Sequence, residues 1–312
     1  FRRVLFRSSI KPQRGLTDGA LPLPSSARAP VAAALTADLA GPVVLIAPRM
    51  DRVHTLAQEL GSWDSEINIL VLPEPDPLFY EPLPWGEQTR LQRAEILSLL
   101  ARGDKLNDTI LLTTVHSLMT ATLSPDQMRA HSRLLRSHAV FEVQELLDFL
   151  VGTGYEPASI VTIPGQFSRR GGILDVWSNS SDSPVRLEFF GDQIDSLRKF
   201  DPASQRSLEA VEELWLSPAR EGIPSLMAET PEHESELNEF YLPWINPTGC
   251  GFLDYLADRA TVLLDGIASI ESVSNELEAQ AVEMRERSEE LNSDAPRGYL
   301  TIEELREGLD RL

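Results

Sequence analysis

The stretch 163–200 reads IPGQFSRRGGILDVWSNSSDSPVRLEFFGDQIDSLRKF and carries the clearest structural pattern in the chain. Short runs of β-branched and aromatic residues alternate with turn residues, which predicts a β-meander. Its strands are expected at 160–163, 172–177, 185–190 and 193–200. Gly191 and Asp192 separate the last two runs as a two-residue hairpin turn, in which glycine supplies the positive φ. This part of the chain is therefore predicted to be a β-rich domain.

One face of the predicted meander combines arginine with an aromatic side chain. Because successive strand residues point to opposite faces, Arg186 and Phe190 share the face opposite Val185 and Leu187. Arg170, in the RRGG turn, can join them. Arginine and aromatic residues are enriched in protein-binding hot spots, although single exposed apolar residues are also common on protein surfaces. The face is thus a candidate binding surface, with an ordinary solvated sheet face as the alternative.

The hairpin also predicts a contact between two carboxylates. A turn at Gly191 and Asp192 places Glu188 opposite Asp195, and like charges in such a pair are unfavourable. We therefore expect a cation, from Arg186 or Arg198, to lie beside the pair and to be oriented by it.

The segment before the meander alternates strands and helices. Continuous apolar runs at 41–48, 67–73 and 109–114 are typical of parallel strands buried on both faces. Helical spacing between these runs gives a βαβα order, which predicts a doubly wound α/β sheet.

The segment after the meander returns to the α/β pattern. TVLLD at 261–265 is a predicted strand, and a helix of about 20 residues is expected from Ile267. Thr301 and Glu304 form a capping box that predicts the start of a last helix.

At 312 residues the chain is expected to hold two or three domains. The pattern divides it into a non-native or disordered start at 1–15, a first α/β half at 16–130, an inserted β-rich α+β domain at 131–221, and a second α/β half with an acidic linker at 222–312.

Composition excludes several classes of function. A net charge of −20 repels DNA phosphates over most of the surface, which argues against strong nucleic-acid binding by this chain alone. One cysteine and five scattered histidines give neither an intrachain disulfide nor a metal site. Without an apolar run of about 18–20 residues or a signal peptide, the sequence predicts a cytoplasmic protein.

The chemistry of a nucleotide hydrolase is missing as well. A P-loop needs a Gly-Lys-Ser/Thr sequence, but none of the three lysines precedes Ser or Thr, and Ser25, Ser26 and Ala27 stand where that sequence is expected. Asp175 is the best single candidate for an acid–base carboxylate, although buried carboxylates that cap turns are more frequent. Gly171 and Gly172 are expected to permit a bend or a close backbone approach.

The runs GQFSRRGGILDVW, PVRLEFFGDQIDSLRKFDPASQRS and LSPARE resemble the second domain of the bacterial transcription-repair coupling factors (Mfd), which is shared in outline with the excinuclease subunit UvrB. LPSSARAPVAAALTADLAGPVVLIAPRMDRVHTLAQEL and LPEPDPLFYEPLPWGEQTRLQR resemble the first α/β portion of the same module. The resemblance covers nearly all of the chain after Leu16. UvrB has an intact P-loop and a tyrosine-rich β-hairpin that grips DNA; their absence here favours the coupling factors.

The resemblance implies a degenerate, helicase-like P-loop domain with a parallel sheet, built in two halves around an inserted domain that docks onto UvrA. The family's contact positions fall on Arg170, Arg186 and Phe190. It implies no catalytic, cofactor-binding or metal-binding residue in this segment. RNA polymerase, double-stranded DNA, ATP and Mg²⁺ would be bound by parts of the parent beyond Leu312, where the ATP-dependent translocase lies. The alternatives are a fragment of UvrB that processes DNA with a nucleotide, and a structural fragment whose sheet only packs against the C-terminal part of its own parent.

Overall fold

The computed structural model describes residues 23–39, 41–103, 106, 108–227, 238–247, 249–256, 260–287 and 296–312. The predicted start at 1–15 lies outside these ranges. The helices of the described residues are α1 Ser25–Asp38, α2 Met50–Trp63, α3 Glu87–Arg102, α4 Val115–Met119, α5 Pro125–Ala130, α6 Val143–Gly152, α7 Pro224–Met227, α8 Leu242–Ile245, α9 Ile267–Arg287 and α10 Ile302–Arg311. The strands are β1 Val43–Ala47, β2 Asn68–Val71, β3 Thr109–Thr114, β4 Arg133–Arg136, β5 Glu156–Pro157, β6 Gln166–Arg170, β7 Ile173–Val176, β8 Val185–Phe190, β9 Gln193–Phe200, β10 Ser207–Ala210, β11 Glu213–Leu216 and β12 Thr261–Leu264.

The chain forms two compact units, each assembled from separate stretches of sequence. Unit 1 comprises residues 1–82, 104–122 and 248–312, and unit 2 comprises residues 83–103 and 123–247. Helix α3, which the sequence assigns to the first α/β half, belongs to unit 2. The division at 16–130, 131–221 and 222–312 stays a prediction about domain boundaries.

Unit 1 contains a four-stranded parallel sheet in the order β12–β1–β3–β2. The apolar strands β1 and β3 lie at its centre and every residue in them is buried, as expected for strands covered on both faces. The predicted α/β class is confirmed. Strand β12 joins the sheet beside β1 although it lies far along the chain, with Val43 opposite Thr261.

A buried carboxylate at the end of β12 connects the sheet to two helices of unit 1. Arg28 Nη1 of α1 and Arg52 Nε of α2 donate hydrogen bonds to the two oxygens of Asp265, each at 2.6 Å. Burial alone would raise the pKa of the Asp265 carboxyl, but the hydrogen bonds from Arg52 and Arg28 outweigh it and hold the pKa below its usual range. The ionised form of Asp265 is therefore the form that stabilises unit 1.

The depressed pKa of Asp265 predicts a loss of stability in acid. The pKa of an aspartate in an unfolded chain is about 3.9. Because Asp265 binds a proton less readily in the folded state, its ionised carboxylate stabilises that state above this pH. Protection of β12 and α1 amides from hydrogen exchange should be higher in the wild type than in Asp265→Asn near neutral pH. This difference should narrow as the pH falls below about 4. A difference that stays constant down to pH 3 would contradict the assignment.

The last helix of unit 1 begins with the predicted capping box. Thr301 Oγ1 accepts a hydrogen bond from the Glu304 backbone N–H at 3.2 Å, and Glu304 Oε2 accepts one from the Thr301 backbone N–H at 2.8 Å. Both orphan donors at the start of α10 are thereby satisfied.

Thr301→Ala should destabilise α10 by about 1 kcal/mol, because an N-cap hydroxyl is lost. Amide hydrogen exchange in α10 measures the effect. Thr301→Ser keeps the hydroxyl and serves as the control, so equal exchange rates in the Ala and Ser variants would show that the cap contributes nothing.

Unit 2 contains a six-stranded sheet in the order β10–β9–β8–β7–β6–β5 and a two-stranded sheet of β4 and β11. One face of the larger sheet packs its apolar residues against α6 to form the core; Leu146, Leu150, Leu174, Leu187 and Leu197 belong to this core. The predicted strands at 185–190 and 193–200 are confirmed, as is the turn, where Gly191 has a φ of 62°.

The strand predicted at 160–163 is wrong. That segment has no strand geometry, and β6 begins only at Gln166, after a turn in which Gly165 has a φ of 81°. Val161 is buried as a loop residue, while Ile160 is 47% exposed. The adjacent prolines, Pro157 and Pro164, restrict the backbone on both sides of this segment.

A buried ion pair within unit 2 ties α3 to the segment that follows β11. Arg93 Nε donates to Glu221 Oε1 at 2.6 Å, and the side chains are 0% and 1% exposed. The Arg93 guanidinium also lies 4.9 Å from the centroid of the Trp85 ring. Helix α3 is thus anchored in unit 2 through a charge that no solvent reaches.

Candidate protein-docking site

The face of the six-stranded sheet that points away from α6 carries two rows of residues, all polar except Ile173. Directly opposed residues share a face, so the strand registers define each row. The first row, across β6 to β9, is Ser168, Asp175, Arg186 and Arg198. The second row is Arg170, Ile173, Glu188 and Ser196. We call these two rows, together with Phe190 at the end of β8, the docking face.

Asp175 is the centre of the docking face. Its side chain is 0% exposed and accepts hydrogen bonds from two arginines. Arg186 binds it with two donors, Nε to Oδ1 at 2.7 Å and Nη2 to Oδ2 at 2.9 Å. Arg170 Nη2 donates to Oδ2 at 2.7 Å. One carboxylate therefore serves two guanidinium groups, and the cluster keeps an excess positive charge.

The two arginines differ in exposure. The Arg186 side chain is 16% exposed and lies over the Phe200 ring, 4.8 Å from its centroid. Hydrogen bonding to Asp175 raises the pKa of Arg186 above its usual range. The Arg170 side chain, in contrast, is 52% exposed. Arg170 is thus the arginine of this pair that a partner can reach, while the planar fork of Arg186 is already bound within the chain.

Phe190 supplies the apolar part of the docking face. It is 83% exposed and lies opposite Gln193, beside the hairpin turn. Ile173, between Arg170 and Glu188 in the second row, is 36% exposed. The alternation predicted along β8 is confirmed, since Val185 and Leu187 are buried in the core on the other face.

The predicted contact between Glu188 and Asp195 is wrong. A β-bulge in β9 shifts the register between Glu188 and Phe189, so that Glu188 lies opposite Ser196 and accepts a hydrogen bond from its Oγ at 2.9 Å. The bulge leaves Asp195 exposed and outside the pairing. Arg186 is consequently oriented by Asp175 and not by a carboxylate pair in the hairpin.

The glycine pair in the RRGG turn has the structural role expected of it. Gly171 adopts a φ of 61°. The carbonyl of Gly172 accepts a hydrogen bond from the Phe189 backbone N–H at 2.8 Å, and a Cβ on Gly172 would lie 3.1 Å from the Phe189 carbonyl oxygen. The turn therefore fixes the positions of Arg170 and β8 relative to each other.

Other kinds of site find less support. Ser25 and Ser26 begin α1 directly after Pro24. The residues that stand where a P-loop is expected therefore form the first turn of this helix. Within the described ranges, no three His, Cys, Asp or Glu side chains are grouped for a metal ion. No helix in the same ranges has the length and apolar character needed to span a bilayer. Asp175, the acid–base candidate, has both oxygens bound by arginine.

Sequence reasoning assigned no role to Phe200, which lies under Arg186, or to Ser196, which donates to Glu188. It singled out Asp175 as an acid–base candidate, with turn capping as the alternative, and did not predict its hydrogen bonds with Arg170 and Arg186. The spacing of the buried residues Ile194 and Leu197 is the signal for the bulge, because an interval of three breaks the period of two expected of a strand.

Comparison with known proteins places the docking face in a named domain. A family model described as the UvrB interaction domain matches residues 134–221, which include Arg170, Arg186 and Phe190. The chain is similar to curated proteins named transcription-repair-coupling factor. That of Bacillus subtilis is 25% identical over 299 residues, which cover 84% of this chain and 25% of the relative.

Two further relatives bear the same name. The Myxococcus xanthus protein is 36% identical over 215 residues, covering 67% of this chain and 18% of the relative. The Escherichia coli protein is 32% identical over 185 residues, covering 58% of this chain and 16% of the relative. The chain thus spans a quarter or less of the length of these relatives.

Proposed function

Because the chain is homologous to the transcription-repair-coupling factors and matches their N-terminal UvrB-like module, we propose that it is a protein-docking module that recruits UvrA to lesions at which RNA polymerase has stalled. The module performs no chemistry of its own. Translocation along double-stranded DNA, driven by ATP, is assigned to other parts of the parent protein, as are the contacts with RNA polymerase.

The observation that carries this proposal is that the exposed Phe190 and the half-exposed Arg170 lie on one face of a sheet whose other face packs into the core. An aromatic ring at 83% exposure loses hydration when a partner covers it, and a neighbouring arginine gives the contact direction and charge specificity. Both side chains project from paired strands, so little order has to be acquired on binding.

We also propose that unit 1 is a degenerate P-loop domain in two halves. Its support is the pairing of β12 with β1, which joins the two ends of the described chain in one parallel sheet.

Phe190→Ala should weaken binding to UvrA about 30-fold, which corresponds to about 2 kcal/mol for the loss of an aromatic anchor. Titration calorimetry or biolayer interferometry with purified UvrA measures the change. Because Phe190 is exposed, the thermal unfolding temperature should not move.

Leu208→Ala is the matched control for this experiment. Leu208 is an exposed apolar residue, 47% accessible, on β10 of the same sheet and outside the docking face. Its variant should bind UvrA like the wild type. Unchanged affinity in Phe190→Ala, or an equal loss in both variants, would remove the docking assignment.

A further inference from the structure

The buried carboxylate of the docking face has a role that the proposed function does not assign. Asp175 lies beneath the surface, where it cannot touch a partner, yet it binds both arginines. One guanidinium is enough to neutralise the buried Asp175 carboxylate, and Arg186 already supplies one through two hydrogen bonds. The further hydrogen bond to Arg170 therefore requires its own explanation.

The contacts form a chain from the core to the surface. The Phe200 ring, which is fully buried, supports the guanidinium of Arg186 at 4.8 Å. Arg186 fixes both oxygens of Asp175, and Oδ2 of Asp175 fixes Nη2 of Arg170 at 2.7 Å. An exposed arginine otherwise loses side-chain rotamer entropy when a partner fixes it. Here that ordering has largely taken place before a partner arrives.

We propose that Asp175 is a positioning residue that holds Arg170 in a fixed orientation on the same face as Phe190, and that the docking face fits a partner surface that carries a carboxylate and an apolar pocket. This inference rests on the proposed function, since it describes the chemistry of the same surface. In it Arg170 contacts the partner, while Arg186 acts through Asp175.

Charge supports an acidic partner group. The docking face holds three arginines, Arg170, Arg186 and Arg198, against two carboxylates, Asp175 and Glu188, so it is left with one positive charge. The whole chain carries a net charge of −20, which makes this a local positive feature on an acidic protein. A guanidinium whose remaining N–H donors face solvent is suited to bind a carboxylate with two parallel hydrogen bonds.

A double-mutant cycle with UvrA as the probe tests the inference. Arg170→Ala and Asp175→Asn should each weaken binding about tenfold, with folding of each variant verified by circular dichroism. The double variant should be no more than about twofold weaker than either single variant, because Asp175 acts through Arg170. Independent contributions would instead multiply to about 100-fold and would overturn the proposal.

Two further variants keep the test decisive. Arg170→Lys retains the charge but not the planar fork of the guanidinium. It should therefore bind UvrA less than threefold more tightly than Arg170→Ala does. Full recovery in Arg170→Lys would show that charge alone suffices and would reject positioning, even if Asp175→Asn failed to fold. Added salt should weaken the wild type more than Arg170→Ala, and equal salt dependence would exclude an acidic partner group.

The outcome for Phe190 separates the inference from the proposed function. If Phe190→Ala weakens binding while Arg170→Ala does not, UvrA docks on this face but Asp175 positions no contact. If Phe190→Ala does not change the affinity, the proposed function itself fails.

Discussion

Glu221→Ala is expected to lower the free energy of unfolding of unit 2 by about 3–5 kcal/mol. The change removes the Glu221 carboxylate, to which the fully buried Arg93 guanidinium donates at 2.6 Å. A charge that has been removed from water cannot recover its hydration unless the structure opens, so the cost exceeds that of a lost surface contact. Because Arg93 lies on α3, opening should begin where α3 packs within unit 2.

Urea denaturation followed by tryptophan fluorescence measures this effect, since four of the five tryptophans lie in unit 2. Glu213→Ala is the matched control: it removes the same charge from an exposed pair with Arg136, and it should cost at most about 1 kcal/mol. Replacing both members of the buried pair, as in Arg93→Met with Glu221→Leu, should restore much of the loss. Similar costs for Glu221→Ala and Glu213→Ala would contradict this account of the pair.

Leu187→Ala is expected to cost about 2–5 kcal/mol by leaving a cavity in the core. Leu187 is fully buried in β8, opposite Leu174 on one side and Leu197 on the other. The residues that flank it in sequence, Arg186 and Glu188, belong to the docking face. A core defect at this position should therefore weaken UvrA binding only as far as unit 2 unfolds.

Measuring affinity and stability together separates these effects. At a temperature where Leu187→Ala is still folded, its affinity for UvrA should approach that of the wild type, whereas Phe190→Ala should stay weak. Leu208→Ala makes the same change at an exposed position and should alter stability by less than about 0.5 kcal/mol. A persistent binding defect in folded Leu187→Ala would show that the docking face is coupled to the core more tightly than its geometry suggests.

Local sequence rules predicted the hairpin strands β8 and β9 but not their register. Alternation along β8 correctly separates core residues from the docking face, and Gly191 marks the turn. The pairing beyond the turn depends on a bulge that accommodates one extra residue, Asp195, so simple counting from the hairpin places Glu188 against the wrong neighbour. The departure from a period of two in β9 is visible in the sequence, but the position of the bulge is defined only when β8 and β9 have paired.

Sequence patterns do not predict the role of Asp175, for a different reason. Its two arginines lie on the neighbouring strands β6 and β8, so the cluster exists only after three strands have paired. The family resemblance implies that Arg170 and Arg186 are equivalent contacts with UvrA. The two side chains are 52% and 16% exposed, and Arg186 in addition lies over the Phe200 ring.

The parallel pairing of β1 with β12 has a consequence for synthesis on the ribosome. Roughly 200 residues separate these strands, and at about 5–20 residues per second their production takes roughly 10–40 s. Until then the apolar edge of β1 lacks its neighbour, and exposed strand edges of this kind invite pairing with other chains. Nascent chains that have not yet reached Thr261 should therefore depend on chaperones. Aggregation through the edge of β1 is the expected failure at this stage of synthesis.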